Sequence, residues 1–89
     1  MTREATGQNE PPTGIDEVAL LILEWLGEQG IGAMLRVDAL RLAEGRPHWT
    51  FAASGGPLQA GMRADAPTAA ACLSQAITTL RDLGVNVPF

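Results

Sequence analysis

The chain has 89 residues, 46% of them hydrophobic and 18% charged, and this composition predicts one small globular domain. Its six arginines and ten acidic residues, with no lysine, give a formal net charge of −4. Nucleic acid and anionic membranes are bound through clustered cations, so the acidic balance disfavours both as partners and favours docking onto a basic protein surface.

The first predicted element is a helix over residues 15–29, opened by Thr13, whose hydroxyl can accept from the free N–H groups of the first turn. Residues 1–12 are polar and end in Pro-Pro, so we expect a disordered tail followed by a single domain over residues 13–89. Gly30 suits the left-handed position just past the last turn of the helix.

This helix carries more apolar surface than one small sheet needs. At about 100° per residue its apolar residues cover an arc of roughly 200°. Leu23 lies at the border of the arc, Leu20 lies outside it, and Glu17, Glu24 and Glu28 share one narrow stripe. We interpret the Leu20/Leu23 edge and the glutamate stripe as a candidate partner-binding surface; for the stripe, an ordinary solvated face is the alternative. The arc consists of Ile15, Val18, Ala19, Leu21, Ile22, Leu23, Trp25 and Leu26.

Three strands are predicted next, over residues 33–42, 48–54 and 58–64. Apolar and polar residues alternate with a period of two, so each strand has one face for the core and one for solvent. Near Ala39 the apolar phase shifts, which indicates a bulge or the end of the first strand. The strands are expected to form an antiparallel meander. The residues expected to face the core are Leu35, Val37, Ala39, Trp49, Phe51, Ala53, Leu58, Ala60 and Met62.

A second helix is predicted to begin near Pro67, whose fixed φ suits the first helical position, and to end at Gly84. Its apolar residues, Cys72 among them, occupy about 140° of one face. Residues 85–89 alternate like a strand, but Pro88 restricts them to a sheet edge or a loose end. The predicted fold is therefore a two-layer α+β domain of α-β-β-β-α order, with two helices on one face of a three-stranded antiparallel sheet.

Two resemblances bear on function. The order helix, three strands, helix resembles the double-stranded-RNA-binding domain, but residues 66–71, where that family has a basic cluster, are Ala-Pro-Thr-Ala-Ala-Ala. That resemblance implies the topology and carries no RNA contacts across. Residues 48–83, two strands leading into a helix opened by Thr68, are similar to HicB-type antitoxins, whose leading element is a strand where a helix is predicted here. This similarity implies a small acidic inhibitor.

The sequence offers no catalytic or metal-binding constellation. A nucleophile and its base must come within hydrogen-bond reach, but Cys72 is expected under the sheet and His48 on its opposite side. One cysteine builds neither an internal disulfide nor a four-ligand zinc site, and the glutamate stripe matches no calcium loop. The glycine-rich turns do not lead from a strand into a helix, as a phosphate loop would. We therefore expect no enzyme activity, no cofactor and no metal.

The solvated face of the sheet is a second candidate binding surface. We expect Arg36, Asp38, His48, Thr50 and Arg63 to lie on it. The alternative, which is the commoner situation, is an ordinary solvated face that carries cross-strand salt bridges.

These features favour a small acidic, non-catalytic protein-interaction domain of the immunity-protein, antitoxin, inhibitor or adaptor type. Its partner would be another protein or a second copy of the chain. The first alternative is a nucleic-acid-binding module that acts through Arg36, Arg41, Arg46 and Arg63.

The second alternative is a ligand-binding or enzyme subunit whose site forms between subunits from Asp38, His48 and Arg63. The sequence shows neither an apolar leader nor a run of about 20 apolar residues, so a cytoplasmic address without a membrane partner is expected. An alanine-rich, lysine-free composition is typical of a GC-rich bacterial genome.

Overall fold

The structure is a computed structural model that describes residues 15–89. The predicted tail, residues 1–12, and the predicted cap, Thr13, lie outside the described residues. The α-β-β-β-α order of an α+β fold is confirmed, with one short helix added after the first strand. In chain order the elements are α1 (Ile15–Glu28), β1 (Gly32–Val37), α2 (Ala39–Ala43), β2 (Trp49–Ser54), β3 (Met62–Ala66) and α3 (Ala69–Asp82).

The sheet is antiparallel with the order β1-β2-β3, so β2 is central. Leu35 lies opposite Phe51, and period-two alternation puts both on the face that we call the inner face. Thr50 lies opposite Arg36 on one side and Asp65 on the other, and these three define the outer face. The predicted division of the central strand into two faces is therefore confirmed.

One apolar cluster forms the core. α1 contacts β1, α3 contacts β2 and β3, and the two helices contact each other. The cluster joins residues of both helices to the inner face, and Phe51, Ile22, Leu26 and Leu80 in it are fully buried. Truncating a buried aromatic residue such as Phe51 to alanine typically costs about 3–5 kcal/mol, so this cluster holds the layers together.

The prediction of one strand over residues 33–42 is wrong beyond Val37. Asp38 has extended backbone angles, and its carboxylate accepts a hydrogen bond from the main-chain N–H of Arg41 at 3.0 Å. This is the geometry of a helix N-cap, and it starts α2. The phase shift near Ala39 therefore marks a change from strand to helix and not a bulge.

The third strand begins later than predicted, at Met62 and not at Leu58. Leu58 is buried as expected, but from within a longer turn, where its N–H donates to the carbonyl of Gly55 at 3.1 Å. Ala60, which we expected in the core, is exposed on the same turn.

The segment after α3 buries two valines without forming a strand. Gly84, with a φ of 92°, ends the helix as predicted. Val85 and Val87 pack into the core, and Arg81 donates to the carbonyl oxygens of Val87 at 3.0 Å and Phe89 at 2.6 Å. The alternation that suggested a strand reflects the burial of alternate valines.

Candidate functional site

The outward face of α1 exposes leucine side chains. Leu20 is 69% exposed, in keeping with its position outside the predicted apolar arc. Leu21 is 46% exposed although it belongs to that arc, because the buried side of α1 is centred on Ile22 and Leu26. Leu23 packs against the core and is only partly exposed. The exposed pair is therefore Leu20 and Leu21, and not the predicted Leu20/Leu23 edge.

Three glutamates share this side of the helix. Glu17, Glu24 and Glu28 are exposed, and at 100° per residue they lie between Leu20 and Leu21 around α1. Among residues 15–89 none of the three forms an ion pair. We call these five residues the leucine–glutamate face. It presents apolar and acidic groups to solvent together.

Gly27 lies beside Leu20 on the helical wheel, at the end of the leucine–glutamate face. A Cβ added there would meet no heavy atom of residues 15–89 within 4 Å, so packing against this part of the chain does not require glycine. A glycine inside a helix costs about 0.5–1 kcal/mol relative to alanine. Glycine also permits close approach of another backbone, and Gly27 leaves space for one at this end of the face.

The Arg41 side chain reaches from α2 over one end of the outer face, so this face is less open than we predicted. The Arg41 guanidinium lies 3.0 Å from Asp65 Oδ1 and donates to the Thr50 hydroxyl, which itself donates to Asp65. Arg63 Nε lies 3.1 Å from Asp65 Oδ2, and Arg41 Nε lies 3.5 Å from Asp38 Oδ2. We call these residues the outer-face network. The Arg41 side chain is only 11% exposed, which makes this cation part of the fold.

The network keeps its carboxylates ionised. The hydrogen bond from the Thr50 hydroxyl lowers the pKa of Asp65 most, and the hydrogen bonds from Arg41 and Arg63 lower it further, so that it lies at about 2, below its ordinary 3.8. The pKa of Asp38 is lowered chiefly by the main-chain N–H of Arg41. A general acid or base needs a pKa near the working pH. The lowered pKa values of Asp38 and Asp65 therefore fit a structural role better than a catalytic one.

Most of the predicted outer-face residues belong to the outer-face network, but His48 does not. Arg36 joins the network through a long contact, 3.8 Å from its Nη2 to Asp38 Oδ2, and Arg63 joins it through its contact with Asp65. His48 instead places Nδ1 3.2 Å from the carbonyl oxygen of Arg46. Within one chain, the ligand site predicted from Asp38, His48 and Arg63 is therefore not assembled.

The four arginines of the nucleic-acid alternative, Arg36, Arg41, Arg46 and Arg63, each have a carboxylate partner. Arg46 Nη1, for example, lies 2.6 Å from Glu44 Oε1. A phosphate would have to compete with these carboxylates, most strongly at Arg41, which is nearly buried, and least at Arg36, which lies 3.8 Å from Asp38. The geometry therefore weighs against a phosphate-binding surface.

Cys72 is a core residue. Its side chain is fully buried, and its Sγ lies 3.4 Å from the carbonyl oxygen of Ala64. Burial raises the pKa of the thiol, which opposes formation of the reactive thiolate.

A shallow depression of about 420 Å³ lies at the end of the sheet where Gly32, Ser54 and Gly61 meet. Its other lining residues include Met34 and Ala52, and none of the lining residues within 15–89 is charged. Small-molecule sites usually combine an enclosed apolar cleft with a few convergent polar groups, so this depression does not resemble one.

Residues 15–89 contain no group of three or more His, Cys, Asp or Glu side chains arranged to hold a metal ion. Within the same range, every helix is too short or too polar to cross a bilayer.

Sequence reasoning did not assign Arg41 or Asp65 to the outer-face network, nor Gly27 to the surroundings of the leucine–glutamate face. Arg41 had a signal, because Asp38 precedes it by three residues in the manner of a helix cap. Gly27 also had one, since it places a glycine in the last turn of the predicted helix, ahead of Gly30. Asp65 had none, because its contacts depend on the strand register and on the reach of Arg41 from α2.

Comparison of the chain with protein-family models, with curated proteins and with solved structures gives no significant match.

Proposed function

We propose that this protein is a small acidic, non-catalytic protein-binding domain whose partner docks on the leucine–glutamate face of α1. The observation that supports the proposal is the exposed pair Leu20 and Leu21, flanked by glutamates without ion-pair partners among residues 15–89. Burial of a leucine in a partner is worth about 1.5–3 kcal/mol. The glutamates select a partner whose apolar groove has a basic border.

An immunity protein, antitoxin, inhibitor or adaptor subunit would carry such a face. Each of them acts by covering a surface of another protein, which needs no catalytic group. A formal net charge of −4 steers the chain toward a basic partner. We place it in the cytoplasm, because its one cysteine, Cys72, is a free and buried thiol that suits a reducing compartment.

The charge pattern favours a different protein over a second copy on this face. In a two-fold pair the same patch meets itself. Two copies of α1 packed antiparallel through it would bring Glu17 of one copy near Glu28 of the other, with Glu24 between them. Like charges that face each other across an interface oppose association. A partner with Lys or Arg around an apolar groove removes this conflict.

The test compares Leu20→Glu with Leu83→Glu, which makes the same change at a half-exposed leucine at the end of α3. Each full-length protein, and the wild type, is immobilised and exposed to host lysate, and retained proteins are quantified by mass spectrometry. We expect a protein that the wild type and Leu83→Glu retain and that Leu20→Glu loses by about tenfold or more. Circular dichroism checks that all three are folded. Identical retention by the three proteins would remove the proposal.

A further inference from the structure

The edge of β1 that is unpaired among residues 15–89 is a second surface of interest. Among the described residues, β1 pairs only with β2. Asp38 follows β1 in register with His48, and its N–H donates to the His48 carbonyl at 2.8 Å. Hydrogen-bonded and non-bonded pairs alternate along an antiparallel ladder, so this bond fixes the direction of every main-chain group in β1. The N–H and C=O groups that point to the free edge are those of Ala33, Leu35 and Val37.

Burial on the inner face falls from one side of the sheet to the other. All three inner-face residues of β3 are buried, two of the three in β2 are buried, and none of the three in β1 is. At the end of β1, Val37 is 42% exposed although it points toward the helix layer. The core is therefore closed beside β3 and open beside β1.

The dimensions of the two layers explain the opening. Two helices packed side by side need about 16–20 Å of sheet width, because packed helices lie about 8–10 Å apart. Three strands spaced about 4.8 Å apart supply only about 14 Å. One further strand beside β1 would bring the sheet to about 19 Å and match the helix layer.

We propose that an extended strand of a partner protein adds to β1 as a fourth strand. Its main chain pairs with the free groups of Ala33, Leu35 and Val37, and its inward side chains are apolar, because they extend the open core. Its outward side chains include an acidic residue opposite Arg36, which is half exposed and only loosely held, 3.8 Å from Asp38.

A second copy of the chain does not fit this edge. Two-fold pairing of β1 with β1 of another copy keeps the helices of both copies on one face, so the two α1 helices would lie over neighbouring strands. Neighbouring strands are about 4.8 Å apart, whereas packed helices need about 8–10 Å. A partner strand that carries no helix on this face of the sheet avoids the steric conflict between helices.

The test uses the full chain with a donor strand, Thr-Val-Glu-Val-Thr-Val, fused after Phe89 through a flexible Gly/Ser linker of about 15 residues, which spans about 20 Å on average. Amide hydrogen exchange is followed by NMR. A tether supplies an effective concentration of about 1 mM, so even a site with a Kd near 100 µM slows exchange at Leu35 and Val37 about tenfold. Met34 and Arg36 already bond to β2 and should not change.

Two controls share the fold and lack the pairing. A donor with proline at its three valine positions cannot donate from them, and Ala33→Pro removes an edge N–H that no internal bond uses. Either control should lose the added protection. Unchanged exchange at Leu35 and Val37, slow exchange there without the donor, or protection along β3 instead would each overturn the proposal. Leu20→Glu should leave the donor effect intact, so this proposal and the one for α1 fail separately.

Discussion

Asp65 is the residue on which the outer-face network converges. It receives Arg41 from α2, Thr50 from the central strand and Arg63 from its own strand. An isolated surface ion pair contributes little to stability, but these contacts are shared with a nearly buried arginine and a buried threonine. Asp65 therefore links α2 to the sheet, and its negative charge should increase the free energy of unfolding.

We predict that Asp65→Asn lowers the free energy of unfolding at pH 7 by about 1 kcal/mol, a value reduced for solvent screening because the side chain is 35% exposed. The folded pKa of Asp65, about 2, lies below the ordinary 3.8. The stabilisation is therefore complete above about pH 4 and is lost as the pH falls toward 2, since the unfolded chain takes up the proton first.

Urea denaturation of the wild type and of Asp65→Asn between pH 7 and pH 2 measures the free energy of unfolding of each. The difference between wild type and Asp65→Asn should shrink as the pH falls through the window in which Asp65 titrates. A constant difference down to pH 2 would show that the charge of Asp65 contributes nothing.

Gly27 provides a second prediction at this scale. Gly27 lies in the last turn of α1, where the preference for alanine over glycine is weaker than in a helix interior. Gly27→Ala should raise the free energy of unfolding by up to about 0.5 kcal/mol, because the new methyl group meets no heavy atom of residues 15–89 and alanine is the better helix former. It should also weaken partner retention, because the methyl group holds the partner's backbone away from α1. Ser74→Ala, an exposed helix-favouring change in α3, is the matched control and should leave retention unchanged. A stabilised Gly27→Ala variant with full retention would contradict close approach at this face.

At the scale of elements, β2 shows where sequence patterns suffice, and α2 and α1 show where they do not. The alternation of Trp49, Phe51 and Ala53 correctly placed the central strand, since it is flanked on both sides and must bury one face. The stretch from Asp38 was ambiguous, because five helical residues are too few to show a helical period. Leu21 was misplaced because the width of the buried arc depends on how α1 sits over β1, which no local pattern contains.

The glutamates of α1 should govern the rate of encounter with the partner. Replacing Glu17, Glu24 and Glu28 together by glutamine should slow association and flatten its dependence on salt, while dissociation changes less. Surface plasmon resonance against the partner retained by the wild type, at low and physiological salt, measures both rates. Glu44→Gln, which removes a carboxylate paired with Arg46 elsewhere on the surface, is the control. An unchanged salt dependence in the triple variant would argue against a basic rim on the partner.

On the scale of the whole molecule, the two sides of the domain differ. On the side of α3 and β3 the inner face is fully buried, and the last residues of the chain are held down by Arg81. On the side of α1 and β1 the inner face is incompletely covered, the strand edge is free among the described residues, and leucines face solvent. Both proposed surfaces lie on this open side, so one partner could contact α1 and extend the sheet as well.

Hydroxyl-radical footprinting tests the central claim most directly. The full chain is oxidised alone and in host lysate, and modification of each leucine is read by mass spectrometry relative to Leu83. If a partner docks on the leucine–glutamate face, Leu20 and Leu21 will be oxidised less in lysate, while Leu42, which is exposed on α2, will keep its ratio to Leu83. Equal oxidation of Leu20 and Leu21 with and without lysate would contradict the account.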